Sequence, residues 1–281
     1  MSNTTKAMLY VKIAEDKWAE KLKDGCAWFG TINGYIKKAE EEHNDEQGDK
    51  YEGVFARLKK GSPVIEECFD RYGDDLESFE ENGFVLLRRK SSKRMCAFCV
   101  YGIHEGSNLE IISEEPYKDG LVLAELRHVI SKEMFEKFLN GKKVEDEEAT
   151  GVYMSPGHLD EALQKAMERK GRKFRRGVVV YDIDLTTEFC LDLDNVVNEN
   201  YGELFHKRKD LSYQNECRTI IWNNDPEKNG IAVHYKRLRK ESCFIVEHDK
   251  AGHELEFVCS IKKPAPLPAV ARTGTKKAGT H

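Results

Sequence analysis

Strand-like segments follow one another along most of this chain, with few helices between them. They are short runs rich in β-branched or aromatic residues: 8–13, 27–32, 84–88, 94–103, 178–185, 214–222, 231–235, 243–246 and 255–261. Parallel sheets need a crossover, usually a helix, between successive strands, and no such alternation is present. The pattern therefore predicts a mixed α+β domain with a mainly antiparallel sheet and a few packing helices.

Three segments predict helices. The first covers residues 15–23, where Trp18 and Leu22 share a face, and it ends near Gly25. The second is capped by Ser131 and carries Met134, Phe135, Phe138 and Leu139. The clearest is capped by Ser155, ends near Gly171 and repeats apolar residues at helical spacing: Leu159, Ala162, Leu163, Ala166 and Met167.

A very polar segment, residues 37–53, interrupts the first half of the chain. Its acidic residues and few apolar anchors predict a loop after a helical turn, and long polar loops inside a domain are often functional. Near its end, Asp49 and Glu52 lie between Gly48 and Gly53. This turn could face a ligand or hold a cation, but it lacks the repeated oxygen ligands of a calcium loop, so we favour a structural role.

Composition limits the class of protein. Of 281 residues, 40% are hydrophobic and 34% are charged, yet the net charge is only -5, which argues against a general nucleic-acid binder and against an acidic disordered chain. The eight cysteines lack a tight even spacing and no signal peptide is evident, so we expect reduced thiols in a cytoplasmic protein. Apolar runs are far shorter than the roughly 20 residues that span a bilayer, so no membrane contact is expected.

The domain is expected to end with the last strand-like segment. Residues 1–261 then form a single α+β domain. Residues 262–281 are rich in Pro, Ala, Gly, Thr and Lys and can bury almost nothing, which predicts a flexible C-terminal tail.

The segment Tyr213-Gln-Asn-Glu-Cys-Arg218 runs into an apolar strand and carries the strongest functional signal. Alternate residues of a strand share a face, so Gln214, Glu216 and Arg218 are expected to form one polar row. A carboxylate beside an amide can grip a ribose. The carboxylate accepts a hydrogen bond from a hydroxyl and stabilises positive charge at the anomeric carbon, while the amide orients a nucleophile. The alternative is an exposed strand face on which Glu216 pairs with Arg218 or with a neighbouring lysine.

The Gln-x-Glu pattern resembles the signature of the ADP-ribosyltransferase superfamily. A wider pattern, Phe205-x-Lys207 and then Tyr213-x-x-Glu216-x-Arg218, resembles a family of uncharacterised bacterial and phage proteins. The resemblance implies a split sheet with NAD across its centre, Glu216 as the catalytic residue and Gln214 as a substrate-orienting one. It also implies a protein, nucleic-acid or water acceptor and a toxin or defence role in conflict between bacteria and phage.

The chain departs from well-characterised ADP-ribosyltransferases on two strands. Their first strand carries an Arg or His that holds the dinucleotide, where this chain offers Tyr10 and Lys12. Their middle strand commonly carries a Ser-Thr-Ser motif, and the nearest counterpart is the segment 98–101. The resemblance therefore assigns NAD contacts to Tyr10, Lys12, Lys207 and Arg218, with Lys12 as a point charge for the pyrophosphate. No metal is implied.

Two other functions remain open. One is a binding module without catalysis, a phage or host interaction protein that uses the acidic segment 40–52 and the basic segment 169–176. For this basic segment a solvated helix end is favoured over a phosphate site. The other is a metal-dependent nuclease, in which Asp182 and Asp184 would join Glu216 around a divalent ion.

Cys96-x-x-Cys99 invites a zinc or redox interpretation. Zinc needs four ligands, and no second close pair of cysteines exists in the sequence. In a strand, Cys96 and Cys99 face opposite sides, so we expect buried core thiols.

Overall fold

A computed structural model describes residues 7–41, 48–104, 109–117, 122–129, 132, 149–194, 200–223, 225, 228–239, 242–247 and 254–261, and the architecture given is that of these residues. The helix predicted after Ser131, with its apolar positions 134–139, and the predicted tail 262–281 lie outside them.

From residue 9 to residue 81 the described chain alternates strand and helix, and mostly strands follow. The alternation builds no parallel βαβ unit there, because the strands of this part pair antiparallel with their neighbours. The helices are α1 (Asp16–Lys23), α2 (Ile32–Glu41), α3 (Pro63–Tyr72), α4 (Lys90–Arg94) and α5 (Pro156–Arg169). The strands are β1 (Leu9–Glu15), β2 (Cys26–Thr31), β3 (Val54–Lys59), β4 (Leu76–Glu81), β5 (Phe84–Arg89), β6 (Cys96–Ile103), β7 (Leu109–Pro116), β8 (Val122–Val129), β9 (Ala149–Met154), β10 (Phe174–Val178), β11 (Val180–Ile183), β12 (Phe189–Cys190), β13 (His206–Arg208), β14 (Glu216–Ile221), β15 (Gly230–His234), β16 (Cys243–Glu247) and β17 (Glu254–Ile261). Short 3-10 turns cover Gly73–Asp75, Gly202–Phe205 and Lys209–Gln214.

The largest sheet of the described chain is split beside β6. Its main path is β10-β14-β6-β1-β9-β16, and β2, which pairs with β15, also joins β6. The start of β6, Cys96 and Ala97, pairs with β2, whereas its end, Tyr101 to Ile103, pairs with β1. All these pairs are antiparallel. The prediction of a mixed α+β fold with mainly antiparallel sheets is confirmed.

Smaller sheets surround the large one. The order β12-β3-β5-β4 forms a four-stranded antiparallel sheet, and β17-β8-β7 forms a three-stranded one. The short pair β11 and β13 is parallel. This pair ends close to β14, because the Tyr181 hydroxyl accepts a hydrogen bond from the backbone N–H of Glu216 at 2.9 Å.

Helices α1 and α5 cover one face of the large sheet. The helical repeat predicted for α5 is confirmed, since Leu159, Leu163, Ala166 and Met167 are buried there, with Ala162 packed against the same core. Helix α1 buries Ala19 and Leu22. Trp18, expected on the same face as Leu22, is 42% exposed and lies against Trp28, with their ring centroids 6.4 Å apart.

The opposite face of the large sheet is covered by two different units. The three-stranded sheet packs on Leu9, Val11 and Ile13 of β1. Helix α2 and the turn Gly202–Phe205 pack on β6 and β14 through a second apolar cluster: Ile32, Ile36, Ala97, Leu204, Phe205 and Ile220. Glu216 and Arg218 of β14 point to this face, opposite Tyr101 and Cys99 of β6.

The helical turn predicted at the start of the polar segment 37–53 is present, because α2 continues to Glu41 on the buried side chains Ile32, Ile36 and Ala39. Two other predicted boundaries are wrong. The single strand predicted for 178–185 is two strands that meet at Val179. Strand β14 begins at Glu216 and not at Gln214, because Asn215 adopts a left-handed conformation (φ 39°) that ends the preceding turn.

No helix of the described residues is long and apolar enough to cross a membrane.

Gly25, which ends α1, provides a test of the packing between β2 and the segment after β15. Its φ is +98°, and a Cβ there would lie 2.3 Å from the Tyr235 carbonyl oxygen. Gly61 also has a positive φ (+86°), but nothing lies within 4 Å of its Cβ position. We expect Gly61→Ala to lower the free energy of unfolding by about 1–2 kcal/mol through backbone strain alone. Gly25→Ala should cost about 1–3 kcal/mol more, because backbone must move.

Urea unfolding of both variants measures this difference. Equal losses of stability in Gly25→Ala and Gly61→Ala would contradict the close approach of Tyr235 to Gly25.

Candidate functional site

Four separate elements bring charged and amide side chains together over β14. Glu216 and Arg218 come from β14 itself, opposite Tyr101 and Cys99 of β6. Lys207 comes from β13, Gln214 from the turn before β14, and Glu52 from the segment before β3. All five side chains are buried. We call Glu52, Lys207, Gln214, Glu216 and Arg218 the charge cluster.

Arg218 is at the centre of the charge cluster and is 1% exposed. Its Nη1 and Nη2 donate to the two carboxylate oxygens of Glu52, each at 2.8 Å. Its Nε donates to Oε1 of Glu216 at 2.6 Å, and Nη1 also donates to the Leu204 carbonyl at 2.6 Å. The planar guanidinium suits such a forked arrangement, which a lysine could not reproduce.

Lys207 closes the charge cluster from the other side. Its Nζ donates to Oε2 of Glu216 at 2.7 Å and to Oε1 of Gln214 at 3.1 Å, and it lies 3.3 Å from Oε1 of Glu52. Gln214 therefore reaches Glu216 through Lys207, although it is not part of the strand. Both oxygens of the Glu216 carboxylate are hydrogen-bonded.

The charge cluster stays ionised because its charges balance. Burial alone would raise the pKa of Glu216, but Arg218 and Lys207 outweigh it and hold this pKa well below its usual value. Burial would lower the pKa of Lys207, but Glu216 and Glu52 raise it. Two carboxylates and two cations thus neutralise each other inside the protein.

Asp49 and Arg208 extend the network toward the surface. Nε of Arg208 lies 3.2 Å from Oδ1 of Asp49, which also accepts a hydrogen bond from the Tyr51 N–H at 3.0 Å. Burial and the nearby Glu52 raise the pKa of Asp49. Asp49 and Glu52 both hold arginines, as expected for the structural role favoured for this turn.

Tyr10 and Lys12, the first-strand candidates, are placed differently. Tyr10 packs in the core beneath α5, on the face of the sheet opposite Glu216, and its hydroxyl donates to Oδ2 of Asp160 at 3.4 Å. Lys12 is half-buried, with Nζ 5.6 Å from the centroid of the Phe98 ring. Burial lowers the pKa of Lys12, while Cys99 and Glu216 act to raise it, so Lys12 is within electrostatic reach of Glu216.

The structure adds two neighbours of Arg218 that the sequence did not indicate. Glu52 binds Arg218 across 166 residues, and no local pattern signals such a pairing. On β6, Cys99 lies opposite Arg218, and burial raises the pKa of its thiol to about 12, so it is not a reactive thiolate.

The remaining motifs do not converge on the charge cluster. Cys96 lies in the core beneath α1 and α5, whereas Cys99 packs toward α2, so the two thiols face opposite sides of β6 as predicted. Asp182 pairs with Nδ1 of His206 at 2.9 Å, and Asp184 bonds to Thr186. Within the described ranges, no three His, Cys, Asp or Glu side chains form a group that could hold a metal ion.

No protein-family model, no curated protein and no solved structure matches this chain.

The Arg218–Glu52 pair yields a stability prediction. Glu52→Gln removes the carboxylate from a buried guanidinium, and breaking a buried pair in this way typically costs about 3–5 kcal/mol. Glu80→Gln is the control, because it breaks the exposed Lys60–Glu80 pair (3.1 Å), and such pairs contribute about 0–1 kcal/mol. Urea unfolding measures both. Similar losses in the two variants would show that Glu52 does not stabilise a buried Arg218.

Acid titration tests the charge state of Glu216. Its pKa is lowered in the folded chain, so its stabilising contribution is present above the unfolded pKa of about 4.3 and is lost as pH falls. Between about pH 5 and pH 3, we expect the free energy of unfolding of the wild type to fall by on the order of 2 kcal/mol more than that of Glu216→Gln. Identical pH profiles would mean that Glu216 has an ordinary pKa.

Proposed function

We propose that this chain is an ADP-ribosyltransferase-like enzyme that cleaves NAD and transfers ADP-ribose to a macromolecular acceptor, in conflict between bacteria and phage. One observation carries the proposal. The three strands that the resemblance assigns to the NAD site are β1, β6 and β14, and they are neighbours in the large sheet. Glu216 lies opposite Tyr101 of β6, and Tyr101 lies opposite Val11 of β1.

The split of the sheet is where we propose that the dinucleotide binds. Strand β6 changes partner from β2 to β1 between Ala97 and Tyr101, and the residues of β14 opposite this stretch include Arg218 and Cys217. Lys12 follows Val11, the last residue of β1 that pairs with β6. A dinucleotide that lies across the split would meet Lys12 on one side and Glu216 on the other.

The reaction needs an anionic group at the ribose. In NAD the bond between C1′ and the nicotinamide nitrogen breaks, and its electron pair leaves with the nicotinamide, which becomes neutral. The positive charge that develops at C1′ is stabilised by an ionised carboxylate. Glu216 is ionised because Arg218 and Lys207 lower its pKa. The acceptor then donates an electron pair to C1′ and loses a proton to solvent.

The other members of the charge cluster position Glu216. Arg218 fixes Oε1 and Lys207 fixes Oε2, so the carboxylate is held before a substrate arrives. Gln214 is held beside it by Lys207, where its amide can orient the acceptor. Lys12, whose pKa is lowered by burial, would be stabilised in its charged form by the pyrophosphate.

A second candidate, a binding module without catalysis, is favoured by a different observation. Both oxygens of Glu216 already accept hydrogen bonds from Arg218 and Lys207. A ribose hydroxyl reaches Oε2 only if it shares that oxygen with Lys207 or displaces Lys207. In a binding module the charge cluster would be the rigid floor of a ligand site and would take no part in chemistry.

Nicotinamide release from NAD separates the two candidates. We expect the wild type to release nicotinamide and Glu80→Gln to match its rate. Glu216→Gln should release nicotinamide at about one hundredth of that rate or below. Glu216→Gln leaves two buried cations with one carboxylate, which destabilises the fold. Its rate is therefore measured under conditions in which circular dichroism shows that the variant is folded.

Lys12→Met provides a variant that breaks no ion pair seen in the described residues. We expect it to raise the KM for NAD about tenfold with little change in kcat, since it removes one charge–charge contact of about 1.4 kcal/mol.

If the wild type releases no nicotinamide with water, protein or nucleic acid as acceptor, the enzyme proposal is overturned. A rise in Tm with NAD but without such release would support the binding module.

A further inference from the structure

A run of positive charge joins α5 to β10. Residues 169–176 contain six basic side chains and no acidic one, although the whole chain carries a net charge of -5. They are Arg169, Lys170, Arg172, Lys173, Arg175 and Arg176. We call residues 169–173 the basic turn.

The backbone of the basic turn is fixed by hydrogen bonds. The N–H of Gly171 donates to the Glu168 carbonyl at 2.9 Å, and the N–H of Arg172 donates to the Met167 carbonyl at 3.0 Å. Gly171 has φ +60°, the left-handed conformation that completes a Schellman motif. The cations are therefore presented on a rigid turn, so little backbone entropy is lost when a ligand binds.

The helix dipole accounts for only part of this charge. Cations are favoured in the last turn of a helix, and the effect falls off beyond it. Arg169 is the basic residue in the last turn of α5, and its Nε donates to the Lys165 carbonyl at 3.2 Å. Arg172 and Lys173 lie past the end of the helix, where the dipole no longer explains them.

Three cations of the run are left available to a partner. Arg175 donates to the Asn200 carbonyl, and Arg176 lies 2.7 Å from Oδ1 of Asp160, so both are used by the fold. Lys170, Arg172 and Lys173 are exposed, and none of them forms an ion pair with a carboxylate of the described chain.

The basic turn and Glu216 lie at opposite ends of one strand pair. Strand β10 runs from Phe174, opposite Ile221, to Val178, opposite Cys217, and the N–H of Val179 donates to the Glu216 carbonyl at 2.9 Å. Six residues of strand separate Lys173 from Val179, which is about 20 Å. Because α5 covers the face opposite Glu216 and β10 is the edge strand of the large sheet, a polymer bound at the basic turn can extend along β10 and around this edge toward the candidate site.

We propose that the basic turn binds the phosphate backbone of a nucleic acid, and that this nucleic acid is the acceptor of the ADP-ribose. The second part rests on the proposed function. Lys170, Arg172 and Lys173 place three cations within four residues, which suits a polymer with a charge on every unit. A nucleic acid carries a phosphate on every nucleotide, about one charge per 1.7 Å of duplex axis, so it can meet all three cations at once in any register and is favoured over an acidic protein.

A charge-neutralising triple variant tests the docking surface. Lys170→Gln, Arg172→Gln and Lys173→Gln are combined. The control combines Lys17→Gln, Lys60→Gln and Lys228→Gln, which remove the same charge from exposed sites elsewhere. Fluorescence anisotropy is measured with labelled single-stranded RNA, single-stranded DNA, duplex DNA and a polyglutamate peptide over a range of salt concentrations.

We expect the wild type and the control to bind at least one nucleic acid and the basic-turn variant to bind it at least tenfold more weakly. The slope of log K against log salt should fall by about 2, since each phosphate contact contributes about 0.7–0.9 to it. Equal binding by the two triple variants, no binding to any of the nucleic acids by the wild type, or tighter binding of polyglutamate, would overturn the proposal.

Two activity measurements separate this proposal from the proposed function. With water as acceptor, the basic-turn variant should release nicotinamide at the wild-type rate, whereas transfer of labelled ADP-ribose to the bound oligonucleotide should fall at least tenfold. Oligonucleotide binding through the basic turn without any nicotinamide release would leave the docking surface intact and overturn the enzyme. Nicotinamide release with equal transfer by both triple variants would overturn the acceptor assignment alone.

Discussion

The candidate site depends on the hydrogen bonds and ion pairs of the Arg218 guanidinium. It is 1% exposed and is bonded at once to Glu52, to Glu216 and to the Leu204 carbonyl. These groups belong to the segment before β3, to β14 and to the turn Gly202–Phe205, so one side chain joins three parts of the chain that are distant in sequence. A buried charge is tolerated only when it is paired and hydrogen-bonded. The position of each of these segments is therefore constrained by the others.

This constraint also limits the roles that Glu216 can take in the proposed reaction. Glu216 cannot act as a general acid near neutral pH, because Arg218 and Lys207 hold it ionised. It can act as a fixed negative charge, which is the role that a developing oxocarbenium ion requires. Burial raises the pKa of the Cys99 thiol to about 12, so Cys99 is not a nucleophile at neutral pH. The surroundings of Glu216 thus favour electrostatic stabilisation over proton transfer or covalent catalysis.

Periodicity predicted the elements whose burial follows a regular repeat, and it failed where a tertiary contact decides. Helix α5 was predicted well because its apolar positions repeat and Gly171 ends it. The alternation of β14 placed Glu216 and Arg218 on one face correctly, but Gln214 reaches Glu216 from a 3-10 turn through Lys207. The alternative interpretation of the sequence, in which Glu216 pairs with Arg218 or a lysine on an exposed strand face, names the right partners, but these ion pairs are buried. The Glu52–Arg218 bond, across 166 residues, has no local signature.

The split of the large sheet shows why a strand pattern alone does not locate a site. Residues 96–103 read as one apolar strand, and nothing in their alternation shows that the first two pair with β2 and the last three with β1. That change of partner leaves the middle of β6 paired to β14 on one side, with β1 and β2 diverging on the other. Between Ala97 and Tyr101 the edge of β6 that faces β1 and β2 has no ladder partner among the described strands. Across β6 from this gap, Glu216 and Arg218 of β14 lie opposite Tyr101 and Cys99, so the topology brings the strand that carries the sequence motif beside the split, which no alternation pattern shows.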